Sequence, residues 1–182
     1  MIEIRIHGRG GQGAVTASEL LAIAAFQEGK QSQAFPSFGP ERTGAPVEAY
    51  CRIDSKPILL RTHVYNPDYL IVLDDSLLKM NITKGLSKKG VVVINSSESA
   101  AAGFKTFNID ATKIALEILG RPVVNTVMLG AFAKATKLLS LKSLEYAIKE
   151  RFSGELAVKN IAAVERAYSQ TPKASCGREM KA

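Results

Sequence analysis

The sequence predicts a single α/β domain: an open, mostly parallel sheet with an inserted β-hairpin and helices on both faces. Three observations carry that expectation. An alternating strand at the start of the chain runs straight into a glycine-rich turn and then a helix. Two later segments, residues 69–73 and 91–94, are unbroken apolar runs, the pattern of strands covered on both faces. From Asp110 onward the apolar residues recur at helical spacing.

In chain order, Ile2, Ile4 and Ile6 alternate with Glu3, Arg5 and His7, the period of a strand. Gly8-Arg9-Gly10-Gly11-Gln12-Gly13 turns the chain, and Ala17, Leu20, Leu21 and Ala24 define a helix that stops near Gly29. Residues 31–35 read as a second strand ended by Pro36, and a glycine- and proline-rich loop follows over 37–46. Residues 47–53 alternate again and, across the turn at 54–57, are expected to form a hairpin with residues 58–60. Asp74, Asp75 and Ser76 after the strand at 69–73 suit the cap of a short helix. The last strand is placed at 107–109. Val124, Val127, Met128, Ala131 and Ala135 share one helical face, with Met128 and Phe132 expected in the core. Asn125 is expected to cap or begin that helix. A further helix spans 141–151, and after a break at Gly154 the residues Ala157, Ile161, Val164 and Tyr168 share another face. The domain is therefore placed at 1–170. Residues 171–182 form a polar, lysine-containing tail, expected to be either disordered or an arm onto a partner.

The chain has 182 residues, 46% hydrophobic and 23% charged, enough for one sizeable core. No run approaches the ~18 consecutive apolar residues that span a bilayer. The first strand begins without a basic leader or small-residue cleavage site, so a cytoplasmic protein with no membrane partner is expected. Cys51 and Cys176 belong to no CxxC pair, and His7 and His63 are the only histidines, so neither an iron–sulfur cluster nor a zinc site is expected here. The net charge is +7, but Lys and Arg are scattered along the chain with no basic run interleaved with aromatics, so nucleic acid is not an expected partner. Phosphorylated small molecules, acidic subunits and plain solubility account for the charge equally well. There is no serine–histidine–acid set and no supporting carboxylate pair, so no catalytic residue is assigned to this chain.

Gly8, Gly10 and Gly13 satisfy GxGxxG between the first strand and first helix, the opening of a Rossmann-like sheet. Glycines allow a tight turn with positive φ and a close approach of backbone to a pyrophosphate, which the free N–H groups of the helix start then face. Arg9 adds a cation at the loop. A nicotinamide dinucleotide wants an acidic residue at the end of the second strand, and Gln31-Ser32-Gln33-Ala34-Phe35-Pro36 has none. A nucleoside-triphosphate loop is excluded, because Ala14-Val15 stand where Lys-Ser/Thr is required. A glycine turn that binds nothing remains an open reading. His7, just before the loop, is expected to hold it by a hydrogen bond rather than to act as a base.

The run 8–14, Gly-Arg-Gly-Gly-Gln-Gly-Ala, combines with the run 34–46, Ala-Phe-Pro-Ser-Phe-Gly-Pro-Glu-Arg-Thr-Gly-Ala-Pro. In that order and spacing the two resemble the gamma subunit of pyruvate or branched-chain 2-oxoacid:ferredoxin oxidoreductases. Arg52-Ile53-Asp54 with Lys56-Pro57-Ile58, and Asn125-Thr126-Val127-Met128-Leu129-Gly130-Ala131, extend the likeness from Ile2 to about Lys137. The resemblance implies an enzyme that cleaves a 2-oxoacid with thiamine diphosphate, passes electrons through iron–sulfur clusters to ferredoxin and transfers the acyl group to coenzyme A. It places thiamine diphosphate and the clusters in partner alpha, beta and delta-type subunits. To this chain it gives no resident cofactor, but a share in coenzyme A binding and in subunit assembly, and it implies that the chain alone is inactive. Coenzyme A carries a pyrophosphate and a 3′-phosphate, so Gly8, Arg9, Gly10, Gly11, Gln12 and Gly13 are assigned to the pyrophosphate. Arg9 and Arg42 are assigned to phosphate or partner contacts, with Glu41 and Arg42 as an alternative interface pair. The loop resembles the pyruvate and 2-oxoisovalerate types. Two other readings stand beside this one: a free-standing NAD(P)-binding enzyme, and a pure assembly subunit whose glycine loop only packs against its neighbours.

Overall fold

A computed structural model describes residues 1–37, 44–98 and 103–172 together with the backbone of Ser175–Cys176. The elements run β1 (Ile2–Arg9), α1 (Ala14–Gln27), β2 (Gln31–Pro36), β3 (Pro46–Asp54), β4 (Tyr69–Val72), a 3₁₀ helix (Asp75–Met80), β5 (Val91–Asn95), β6 (Lys105–Ile109), α2 (Ala111–Leu119), α3 (Asn125–Thr136), α4 (Leu141–Arg151), α5 (Gly154–Gln170) and β7 (Ser175–Cys176). They form one sheet in the order β2-β3-β1-β4-β5-β6-β7. β1, β4, β5 and β6 are parallel neighbours, whereas β3 runs antiparallel to both β1 and β2. β2 therefore points the same way as β1, and only β3 and β7 oppose the rest. The mostly parallel open sheet and its inserted hairpin are borne out. Among the described residues no helix is long and apolar enough to cross a membrane.

The hairpin partner differs from expectation. β3 pairs with β2 on one side and β1 on the other, with Ala34 opposite Cys51 and Ile4 opposite Cys51. Both its edges are filled, so residues 58–60 have no ladder to join and carry no strand. From Leu60 onward, carbonyls of this segment are met by a side chain instead. The Arg52 guanidinium donates to the carbonyls of Leu60 (3.3 Å), Thr62 (2.7 Å) and His63 (3.3 Å). It also reaches Glu3 Oε1 at 2.8 Å and Gln33 Oε1 at 3.3 Å. Arg52 is 1% exposed, and this many acceptors are what make a buried guanidinium tolerable. Arg5, one strand over, does the same for a second irregular segment. It donates to the carbonyls of Val64, Ile82 and Lys84 and to His7 Nε2.

These two arginines mark the face of the sheet without α-helices. The expectation of helices on both faces is corrected: the α-helices of the described residues all lie on the other face, packed on Ile4, Ile6, Ile71, Val93 and Phe107, because the Arg5 and Arg52 side chains hold irregular segments over this one. The opposite face buries Leu70, Val72, Val92 and Ile94 under Leu77 of the 3₁₀ helix, Ile82 and Leu86. The unbroken apolar runs of β4 and β5 follow: successive residues feed opposite cores, each fully buried aliphatic side chain contributing about 1.5–3 kcal/mol. α3 is buried on every side from Asn125 to Ala133, including Met128 and Phe132, because α5 covers the face that the sheet does not. Gly130 permits this crossing, since a Cβ there would stand 2.1 Å from the Val164 carbonyl oxygen of α5. At the far edge, Ser175–Cys176 adds a short antiparallel strand to β6. Thr171 closes the end of α5, its N–H (2.9 Å) and hydroxyl (2.6 Å) both donating to Ala167 O, and residues 173–174 and 177–182 lie outside the described residues.

Candidate functional site

The glycine loop sits at the carboxyl end of β1, where an open α/β sheet presents ligand sites. Gly11 (φ +93) and Gly13 (φ +79) adopt the left-handed conformation that side chains resist. Gly13 is also the N-cap of α1, which has no side-chain cap, so the first-turn N–H groups are not taken by a capping oxygen. The turn is closed by two short bonds, Gln12 N–H to Arg9 O at 2.9 Å and Arg9 N–H to Gln12 Oε1 at 2.7 Å.

Two other motifs converge on this turn. Gly10 N–H donates to Ala45 O (2.8 Å) and Gly44 N–H to Gly10 O (3.2 Å), so the end of the second loop is stitched to the first. Asn125, the first residue of α3, donates through Nδ2 to Gly13 O at 3.4 Å. A Cβ on Gly13 would come within 2.4 Å of that nitrogen. Sequence separation hid this packing, although Gly13 and Asn125 each stand in a motif of the resemblance.

Arg9 and Gln12 turn inward. Arg9 Nε donates to Asp74 Oδ2 at 3.0 Å, Nη2 to Ser76 Oγ at 2.7 Å and Nη1 to Gly44 O at 3.1 Å, while Gln12 Nε2 donates to Asp74 Oδ2 at 3.2 Å. Asp74 also caps the 3₁₀ helix through Ser76 N–H, as its sequence position suggested. Burial works to raise the Asp74 carboxyl, but hydrogen bonds from Ser76 and Gln12, with the Arg9 charge, outweigh it and hold it below the usual carboxylate range. Beside this network a cleft of about 450 Å³ opens between β4, β5 and α2, lined by Gln12, Asp74, Asp75, Asn95, Asp110 and Thr112 among others. Such a lining accepts hydroxyl and amide donors and repels phosphate. Arg42 and Glu41 lie outside the described residues.

His7 is not part of the loop's support. Its side chain points to the opposite face, is 3% exposed, and accepts from Arg5 Nε (3.0 Å) at Nε2. The ring proton therefore sits on Nδ1, 3.6 Å from Glu48 Oε1. Burial pushes the His7 pKa down to about 4, and Arg5 adds to this against the opposing pull of Glu48, so the ring is neutral near pH 7. Tyr50 Oη donates to Glu48 Oε2 at 2.7 Å and lies 3.3 Å from His63 Nδ1. This chain of polar groups floors a recess of about 910 Å³ whose rim includes Tyr65, Met80 and Lys84. His7 thus accepts from Arg5 and stands beside Glu48, a placement its position in the sequence did not disclose.

Cys51 is fully buried with its thiol pushed up to about 12 by burial, so it is poorly suited to ligate a metal. No group of three or more His, Cys, Asp or Glu among the described residues is placed to hold a metal ion.

Comparison with known proteins agrees across the chain. The profile of the pyruvate ferredoxin/flavodoxin oxidoreductase family matches residues 3–170. The pyruvate synthase subunit PorC of Methanothermobacter thermautotrophicus is 58% identical over 175 residues, 95% of this chain and 97% of that protein. The pyruvate/ketoisovalerate oxidoreductases common subunit gamma of Pyrococcus furiosus is 53% identical over 180 residues, 94% of this chain and 97% of that one. The crystal structure of pyruvate oxidoreductase subunit PORC from Thermotoga maritima superposes with a TM-score of 0.84 at 39% identity, covering 97% of this chain and 98% of that chain. The fold also matches part of the 2-oxoglutarate:ferredoxin oxidoreductase from Magnetococcus marinus, solved with 2-oxoglutarate, coenzyme A and succinyl-CoA bound. There the TM-score is 0.76 at 19% identity, over 92% of this chain and 30% of that one.

Proposed function

The chain belongs to the pyruvate ferredoxin/flavodoxin oxidoreductase family as a gamma subunit of a 2-oxoacid:ferredoxin oxidoreductase, and on that premise we propose that it contributes the coenzyme A-binding surface of the complex and helps to hold its subunits together. The observation that carries this reading is the joint made by Gly10 with Gly44 and Ala45, which sets the uncapped start of α1 beside the end of the second loop. Backbone N–H groups of Gly11, Gly13 and the first turn of α1 receive the pyrophosphate, while Gln12 N–H stays on Arg9 O, and the partial positive charge of the helix start adds to the attraction. Arg9, committed to Asp74, Ser76 and Gly44, stiffens the loop from beneath. Arg42 supplies a cation from the second loop.

The complex converts a 2-oxoacid and coenzyme A to acyl-CoA and carbon dioxide while reducing ferredoxin. Thiamine diphosphate and iron–sulfur clusters reside in the alpha, beta and delta-type partner chains, and the deeply buried, high-pKa Cys51 supports that division. The chain works in the cytoplasm, within the complex rather than alone.

The dinucleotide reading loses ground to the topology. The fingerprint requires the strand after α1 to lie beside β1, so that its acidic end reaches the ribose. Here β3 lies between β1 and β2. The pure assembly reading keeps one observation in its favour, the docking of Asn125 against Gly13.

Gly11→Ala separates these readings, because Gly11 has φ +93 and open space around an added Cβ. The strain of about 1–2 kcal/mol falls on the loop alone. In the purified complex the KM for coenzyme A rises by about 5- to 30-fold, while the KM for the 2-oxoacid stays put. An unchanged KM for coenzyme A in an intact complex refutes the binding role and leaves assembly.

A further inference from the structure

The chain's excess positive charge, scattered in sequence, is gathered in space. Two irregular segments, residues 55–66 and 76–90, cover the sheet face that has no α-helices. They carry Lys56, Arg61, Lys79, Lys84, Lys88 and Lys89, six of the chain's 24 Lys and Arg, and none of its 17 Asp and Glu. The remaining 18 cations and 17 anions leave the rest of the molecule at +1 of the total +7. All six side chains are exposed, and none forms an ion pair with a described residue.

The two segments are one surface. The Arg5 guanidinium ties Val64 O of the first to Ile82 O and Lys84 O of the second. Ser87 N–H donates to Pro67 O at 3.0 Å, and Gly85 packs against the Tyr65 backbone so closely that a Cβ would stand 2.0 Å from its oxygen. Set among the cations are large apolar side chains in water: Leu59 at 87% exposure, Tyr65 at 70% and Met80 at 54%, with Leu60 beside Leu59. The 910 Å³ recess opens between Tyr65, Met80 and Lys84, with Glu48 as the acid in its lining.

We infer that this face is the docking surface for an acidic, partly apolar surface on another subunit of the same oxidoreductase. The inference rests on the chain being a subunit, not on its binding coenzyme A. Charge complementarity argues for an acidic partner, because the joined segments carry six exposed cations with no ion pair among the described residues, and such cations repel one another until anions approach. The exposed aliphatic and aromatic groups argue for protein rather than a polyphosphate backbone, since phosphate contacts leave Leu59, Leu60 and Met80 unburied. In the Magnetococcus structure the same fold makes up 30% of a longer chain.

Lysine acetylation of the intact complex, read by mass spectrometry without added coenzyme A, tests the assignment. Lys79, Lys84, Lys88 and Lys89 lose most of their modification relative to the separated full chain, while Lys142 and Lys149 on α4 react equally in both. Equal reaction of the four in complex and free chain overturns the inference, as does protection that nuclease or detergent abolishes. A second arm reverses charge with K79E, K84E, K88E and K89E together, after circular dichroism shows the variant folded. Its association with the partner chains slows by about 10- to 1,000-fold at low salt, and the gap closes as salt screens it. Association at the wild-type rate refutes the docking surface. Neither arm reads coenzyme A, so a failed coenzyme A role leaves both results interpretable.

Discussion

Replacing Gly13 by alanine tests whether the glycine loop is built around its contact with α3. Two costs add. The residue sits at φ +79, where an alanine loses about 1–2 kcal/mol. Its Cβ would also stand 2.4 Å from Asn125 Nδ2 and 3.0 Å from Cγ, well inside contact distance. Asn125 is only 5% exposed and holds Thr126 N–H at 2.9 Å, so it cannot swing away without breaking that bond. Overpacking of this kind costs about 1–3 kcal/mol. Gly13→Ala should therefore destabilise the chain by about 3 kcal/mol and lower its Tm by roughly 6–12 °C. Asn125→Ala removes the obstructing atoms, so in that background only the backbone strain should remain. Urea titrations of the wild type, both single variants and the double variant measure the coupling, expected at about 1–2 kcal/mol in favour of the double variant. If Gly13→Ala costs the same in both backgrounds, the loop and α3 are independent and the reasoning fails.

Two further expectations follow from buried groups. The pKa of His7 falls from 6.5 to about 4 on folding, so between those values the folded chain binds fewer protons than the unfolded chain. Stability is then level above neutrality and declines as pH falls through that window, by up to about 3 kcal/mol. His7→Gln keeps an acceptor for Arg5 without a titrating ring, so its urea midpoint should change much less between about pH 7 and about pH 5. Equal slopes in the two proteins would rule out His7 as the cause. Gly130→Ala should destabilise by at least about 3 kcal/mol, opposite in sign to the usual helical gain of about 1 kcal/mol, because the obstacle is the Val164 backbone at 2.1 Å. A thermal melt at or above the wild-type Tm would show that α3 and α5 can separate freely.

Much of the architecture was legible in residue order. Period-2 alternation marked β1, and unbroken apolar runs marked β4 and β5, because each reports how many faces of a strand are buried. The hairpin partner was misread for a specific reason. Residues 58–60 are apolar enough for a strand, yet Arg52 captures the carbonyls beside them, and a side chain that replaces a ladder leaves no periodic trace. His7 was misplaced for a related reason: β-alternation puts it on a face, but not which groups wait there.

By itself the sequence determined the sheet-forming segments, the glycine turn and the family, since these depend on local composition and on motifs at short range. The tertiary structure alone decided that β3 separates β1 from β2, that Arg9 is spent on Asp74, and that the cation-bearing segments 55–66 and 76–90 meet. Each depends on which distant segments the sheet brings side by side, and charge and hydrogen-bond partners act through space rather than along the chain.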